Sequence, residues 1–190
     1  MRSFSQTALR TRRLKLRPLE PGDAAALFAI FSDPTVMRYW STPPWASVDV
    51  ALSTIVCDRE AMATGTHLRL AIVSPADDAV LGTCMLFNLV PACRRAEIGY
   101  GLARRAWGRG YIQEAATALL GYGFHELELN RVEADIDPRN TASATSLQRL
   151  GFKQEGLLRE RWIVGDEVSD SALYGLLRSE WLGKGLESDA

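Results

Sequence analysis

Arg104-Arg105-Ala106-Trp107-Gly108-Arg109-Gly110-Tyr111 decides how this chain is read. Upstream, residues 96–102 read as a strand. Downstream, Ala115, Ala116, Leu119, Leu120, Gly123, Phe124 and Leu127 recur near helical spacing over residues 112–127. The stretch is therefore a strand-to-helix turn carrying two glycines and three arginines. Gly108 and Gly110 let the backbone approach a ligand closely. The first amides of the following helix, at its positive dipole end, suit phosphate oxygens. Arg104, Arg105 and Arg109 add charge, although solvated arginines on an ordinary glycine turn would look the same. Other nucleotide loops do not match: Gly99-Tyr100-Gly101 and Gly108-Arg109-Gly110 each begin a GxGxxG pattern, but Arg104 and Gln113 occupy the third-glycine positions. The chain has neither a GxxxxGK[ST] nor a GxSxG motif.

Outward from this turn, residues 12–19 alternate basic and apolar side chains as a strand stopped near Pro18. Pro21-Gly22-Asp23, with Asp23 as N-cap, opens a helix running to Asp33-Pro34. An aromatic and proline-rich loop with Tyr39, Trp40 and Trp45 leads to a second helix over 48–63. Residues 68–73, 80–89 and 96–102 read as an antiparallel meander with a turn at 75–78. After the helix of 112–127 come a strand at 131–136 and a helix at 140–150, which Gly151 closes. Strands at 157–164 and 168–177 flank Gly165-Asp166-Glu167, a hairpin loop. Residues 1–10 are expected to form a loose tail, and residues 1–190 a single domain.

Bulk composition narrows the classes of function. The chain has 190 residues, 47% hydrophobic content and a net charge of −1, which suits one sizeable core and gives no general attraction to nucleic acid. Cys57, Cys84 and Cys93 form no CxxC pair, and His67 and His125 are the two histidines, so neither a metal site nor a disulfide framework is expected. No signal-peptide run or membrane-spanning stretch is legible, so the expected setting is cytoplasmic with no membrane partner. The expected state is a monomer or homodimer.

Arg105-Ala106-Trp107-Gly108-Arg109-Gly110 resembles the [QR]xxGx[GA] signature of the GNAT acyltransferases. Ala96-Glu97-Ile98-Gly99-Tyr100, Glu114-Ala115, Asn140-Thr141-Ala142-Ser143, Leu150-Gly151-Phe152 and Glu155-Gly156 are similar to its Rim-type branch, which includes acetyltransferases of ribosomal-protein N-termini. The resemblance spans nearly the whole chain. It implies an α+β fold, layered α/β/α, with a mixed and largely antiparallel sheet. Its two central strands, 96–102 and 131–136, splay apart around the pantetheine arm of acetyl-CoA. It further implies cofactor contacts at Ile98, Gly99, Arg104, Arg105, Trp107, Gly108, Arg109, Gly110, Tyr111, Asn140 and Ser143, with Tyr39, Trp40 and Trp45 on the acceptor side. Asn140 is equally a favoured helix N-cap.

The implied reaction is direct attack of an amine on the thioester, without a metal. It calls for a proton acceptor and for donors to the oxyanion and the leaving thiolate. Glu97 is the first candidate base, with Glu160 second. An amide near Ile98 or Gly99 suits the oxyanion. Leu147 stands where many relatives carry a tyrosine, and Ser143 matches the hydroxyl that the Rim-type branch offers to the thiolate, though a local helix cap competes for it. A non-catalytic acyl-CoA sensor keeps the same loop and is the alternative; an unrelated nucleotide-binding fold is weaker. The amine can be a protein N-terminus or a small molecule.

Overall fold

Strand β3 (Leu68–Val73) and the first seven residues of β4 (Val80–Val90) are almost wholly buried, an apolar run that only a strand covered on both faces tolerates. In the computed structural model, which describes residues 2–187, they lie inside an eight-stranded sheet. The other strands are β1 (Leu9–Arg10), β2 (Lys15–Pro18), β5 (Arg95–Leu102), β6 (Arg131–Ile136), β7 (Lys153–Val164) and β8 (Glu167–Leu177). Their order is β1-β2-β3-β4-β5-β6-β8-β7, antiparallel except for β5 and β6.

Helix α4 (Tyr111–His125) buries Ala115, Ala116, Leu119, Leu120 and Phe124 in one stripe, against Leu86, Ile98 and Val132 of the sheet. Helix α5 (Thr141–Leu150) adds Leu147 and Leu150 to that face. Helices α1 (Ala24–Phe31) and α3 (Val48–Thr64) cover the other face, packing Leu27, Ile30 and Ile55 on Ala71 and Val73; short α2 (Pro34–Met37) follows α1. The fold is the layered α/β/α arrangement expected.

The parallel pair is the break in this sheet. β5 and β6 are in register only at Arg95↔Arg131, Ala96↔Val132 and Glu97↔Glu133. Beyond that, β5 keeps β4 as neighbour to Leu102, and β6 keeps β8 to Ile136. Each strand stays anchored on its outer side while the inner edges separate. Strand amides alternate between the two neighbours, so part of the Ile98–Leu102 edge turns toward the gap with no ladder partner.

Several expectations are corrected. Residues 2–10 are no loose tail: Phe4 is buried, its N–H donates to Met62, and β1 pairs with β2. Residues 11–14 form the turn between those strands and not the start of one. Asp23 stands at the N-cap position of α1, but its carboxylate makes no cap hydrogen bond there and accepts instead from the Arg17 guanidinium and the Glu20 amide. β7 begins at Lys153, four residues before expected, and the sequence reading gives no helix where α6 (Arg178–Glu187) lies; its Trp181 stacks on Phe124 at 5.7 Å. Gly151, with φ 102°, closes α5 as expected.

Candidate active site

The arginine-glycine turn folds as its composition requires. A 3-10 turn at Arg104–Ala106 is followed by Gly108 at φ 71° and Gly110 at φ 74°, both in the left-handed region that any other side chain resists. Helix α4 starts immediately afterwards, and no side chain caps its first amides. A Cβ added at Gly108 would meet nothing within 4 Å. Open backbone, unpaired helix-start amides and exposed Arg104 and Arg109 make a cradle that fits a pyrophosphate. The other two expected side chains brace it: Arg105 donates to the Val80 carbonyl at 3.1 Å, and the Trp107 indole to the Leu102 carbonyl at 2.9 Å. Tyr111 opens α4 beneath a guanidinium 4.9 Å from its ring centre.

That guanidinium belongs to Arg13, which sequence reasoning missed. It donates to the Arg109 carbonyl at 3.0 Å and to Glu114 at 2.6 Å, clamping the cradle from the β1–β2 turn. Burial works against the Glu114 charge, but hydrogen bonds from Thr11 and Arg13 outweigh it and hold the carboxyl below its ordinary range. No motif announces Arg13; a contact across 101 residues of sequence separates it from Glu114.

A cavity of about 550 Å³ opens on the splay. Glu97, Ile98, Gly99 and Tyr100 line it from β5, and Asn140, Ser143 and Leu147 from α5, with Tyr39, Trp40 and Trp45 above. Glu97 sits opposite Glu133 in the register, an unfavourable like-charge pair unless one is compensated. Arg95 and Arg131 both pair with Glu133, at 2.7 and 2.8 Å. Glu97 is left facing the cavity with the Asn88 amide, 3.0 Å away, as its hydrogen-bond donor. Glu160 is not brought to this place: it sits exposed on β7 at a bulge, with φ 51°, and the chain instead turns Arg161 and Trp162 into the cavity.

Asn140 caps α5, its side-chain oxygen accepting from the Ser143 amide at 3.1 Å, while it also lines the cavity. The Ser143 hydroxyl lies 3.0 Å from that of Tyr100, across the gap from β5 to α5. Burial, only partly offset by the Ser143 hydrogen bond, pushes the Tyr100 phenol up to about 12, so it keeps its proton at neutral pH. The sequence motif assigns Tyr100 no role; alternation along β5 turns it to the α4 and α5 face, whereas Glu97 and Gly99 face the aromatic loop.

The aromatic residues both pack and line the cavity. Trp40 and Trp45 rest on Phe31, with ring centres at 5.4 and 4.9 Å. Tyr39 lies between the guanidinium groups of Arg38 and Arg139, at 5.4 and 5.8 Å, and Arg139 pairs with Asp137 and Glu167. The aromatic loop is thereby tied to the far wall of the cavity. His67, Arg69, Asp135 and Trp162 are among the further lining residues to which the sequence assigns no site role.

Comparison with known proteins gives the family and the fold. The Acetyltransferase (GNAT) domain family model matches residues 13–153. The chain is 39% identical over 176 residues to the uncharacterized N-acetyltransferase p20 of Bacillus licheniformis, covering 92% of this chain and 98% of that one. It is 26% identical over 118 residues to the [ribosomal protein uS5]-alanine N-acetyltransferase of Escherichia coli (strain K12), 62% of this chain and 61% of that one. Among solved structures, the GNAT-family acetyltransferase from Bacillus anthracis superposes with a TM-score of 0.81 at 24% identity, over 92% of this chain and 100% of that one.

Proposed function

This chain belongs to the GNAT family of acetyltransferases, and from that premise we propose that it moves the acetyl group of acetyl-CoA to a primary amine by direct attack within a ternary complex. The observation that carries the proposal is the junction of two halves at the splay: the Gly108–Gly110 cradle on one side and the Glu97-lined cavity on the other. Acetyl-CoA supplies an activated acyl group. The cradle amides, with Arg104 and Arg109, hold its pyrophosphate; Asn140 contacts the pantetheine arm; and unladdered amides near Ile98 and Gly99 donate to the carbonyl oxygen as negative charge develops there.

The acceptor must lose a proton, since a primary ammonium with a pKa near that of lysine, about 10.4, is mostly protonated at neutral pH. Glu97 takes it, directly or through water. The aromatic residues Tyr39, Trp40 and Trp45 hold the rest of the amine. Ser143 faces the departing sulfur as a hydrogen-bond donor. A thiol ionises near 8.5, well below the Tyr100 phenol at about 12, so neither hydroxyl needs to surrender its proton. The pair lowers the barrier by donating hydrogen bonds to a leaving thiolate.

Release of free thiol from acetyl-CoA across a panel of peptide and small-molecule amines tests the proposal. Turnover dependent on the amine supports it. Binding of CoA by calorimetry with no amine-dependent release from any acceptor overturns it and leaves a sensor.

A further inference from the structure

The floor of the acceptor cavity is read most directly from strand register. Phe87 of β4 pairs with Glu97 of β5, and Met85 pairs with Gly99 on one side and Arg69 of β3 on the other. His67, two residues before Arg69, shares its face, with its ring 6.3 Å from that of Phe87. On the far side Glu133 pairs with Glu97, so Asp135, two residues along β6, shares this face too. Across the sheet the order is Arg69 and His67, then the apolar Met85 and Phe87, then Glu97, then Asp135, and all six line the cavity.

The two ends differ in charge and in unused hydrogen bonds. At the β5–β6 end, Glu97 has no salt-bridge partner among the described residues, and the Arg161 guanidinium stands 3.9 Å from Asp135. At the β3 end, Arg69 donates to Asp58 at 2.9 Å and to the Met85 sulfur at 3.0 and 3.4 Å, using three of its five N–H groups. His67 Nε2 is buried with no hydrogen-bond partner among the described residues and stands 3.8 Å from Asp58, too far for one. Burial and the adjacent Arg69 push the His67 imidazole down to about 4, so it is neutral at pH 7, and a second ammonium placed there would meet the guanidinium and no carboxylate of its own.

We infer that the acceptor is a primary amine bearing a carboxylate, with the ammonium at Glu97 on β5 and the carboxylate at the unused N–H groups of Arg69 on β3. The span is set by two strand spacings, about 10 Å between backbones, which the side chains reaching inward shorten. Met85 and Phe87 form the apolar middle, and the absence of a side chain at Gly99 leaves room over Met85: a Cβ there would stand 2.6 Å from the Met85 methyl. The inference rests on the proposed amine acetylation for the position of the ammonium, but the carboxylate subsite is a binding property measurable without turnover.

γ-Aminobutyrate, butylamine and putrescine share a four-carbon chain and differ only at the far end. Thiol release should favour γ-aminobutyrate over butylamine by roughly 10- to 100-fold, the worth of a hydrogen bond to a charged group, and putrescine should rank last. Arg69→Met alone strands the buried Asp58, so the variant to use is Arg69→Met with Asp58→Leu, which replaces a buried ion pair by apolar groups and is expected to keep the fold, as a thermal melt would verify. In it the preference should fall to about one. Calorimetric titration of the CoA-loaded protein with γ-aminobutyrate gives the same comparison by affinity. Binding that depends on Arg69 upholds the subsite whether or not thiol is released, and the proposed reaction is overturned only if no amine of the wider panel gives release. A wild-type preference near one, a preference for putrescine, no binding of γ-aminobutyrate, or a preference that survives in the double variant overturns the subsite.

Discussion

The pyrophosphate cradle takes its candidate groups from eight consecutive residues, 104–111. The proposed acceptor cavity draws Trp40, Arg69, Glu97, Asp135 and Trp162 from a loop and four different strands. One half works through backbone amides whose direction is set by two left-handed glycines and a helix start; the other works through side chains whose directions are set by register. A backbone site is insensitive to most side-chain exchanges and fails at its glycines. A register site fails one residue at a time, each loss confined to the group that residue contacts.

The sharpest way to test this contrast is at Glu97, where the cavity half should fail alone. Glu97→Gln keeps the shape and the Asn88 contact while removing the proton acceptor, so kcat/KM should fall by about 10² to 10⁴ with acetyl-CoA affinity nearly unchanged. The acidic limb of the pH–rate profile should vanish or move, with partial rescue at high pH. Near-normal turnover across the neutral range would remove Glu97 from the mechanism.

The complementary break is Gly110→Val, which should cost the cradle and spare the cavity. A β-branched residue at φ 74° adds about 1–3 kcal/mol of strain, and each lost hydrogen bond to a charged oxygen is worth about 1.5–3 kcal/mol. CoA affinity should therefore fall by about 10²- to 10³-fold by calorimetry, in a protein that still folds. Wild-type affinity would show that the pyrophosphate lies elsewhere.

Tyr100 and Ser143 join the two halves, and their effect should be smaller. Tyr100→Phe should lower kcat about tenfold, the worth of one modest hydrogen bond. The rate should also become more sensitive to the acidity of the leaving thiol when acyl thioesters of graded thiol pKa are compared. Ser143→Ala should cost a similar amount, and the double variant little more than either alone. Full additivity would mean that the two hydroxyls act separately.

The smallest effect belongs to His67 and concerns stability. Its folded pKa of about 4 lies below the unfolded value of 6.5, so between these pH values the unfolded chain binds more protons. Stability contributed by neutral His67 is thus lost as pH falls through that window and levels off below it. Asp58, raised by burial in spite of Arg69, acts in the opposite direction, so the quantity to measure is the difference between wild type and His67→Asn. About 1 kcal/mol, or 2–4 °C in melting temperature, is expected once exchange with cavity water is allowed for. Parallel melting curves for the two proteins from pH 7 to pH 4 would contradict the shift.

Some of this protein was decided within short windows of sequence. The strand, glycine turn and helix of 96–125 follow from period, from the glycine requirement at positive φ, and from unpaired amides at a helix start, all local properties. Asn140 as a cap and Gly151 as a terminator belong to the same class. Other features needed the chain to fold back on itself. Phe4 is buried against α3, a contact no window around residue 4 contains, and Arg13 reaches the cradle through Glu114. Glu97 and Glu160 looked alike as strand carboxylates. Glu97 faces the cavity without a salt-bridge partner among the described residues because Glu133 takes both nearby arginines, and Glu160 is turned away by a bulge in an edge strand. Which side chains share a cavity depends on register between strands far apart in sequence, and register is a property of the assembled sheet.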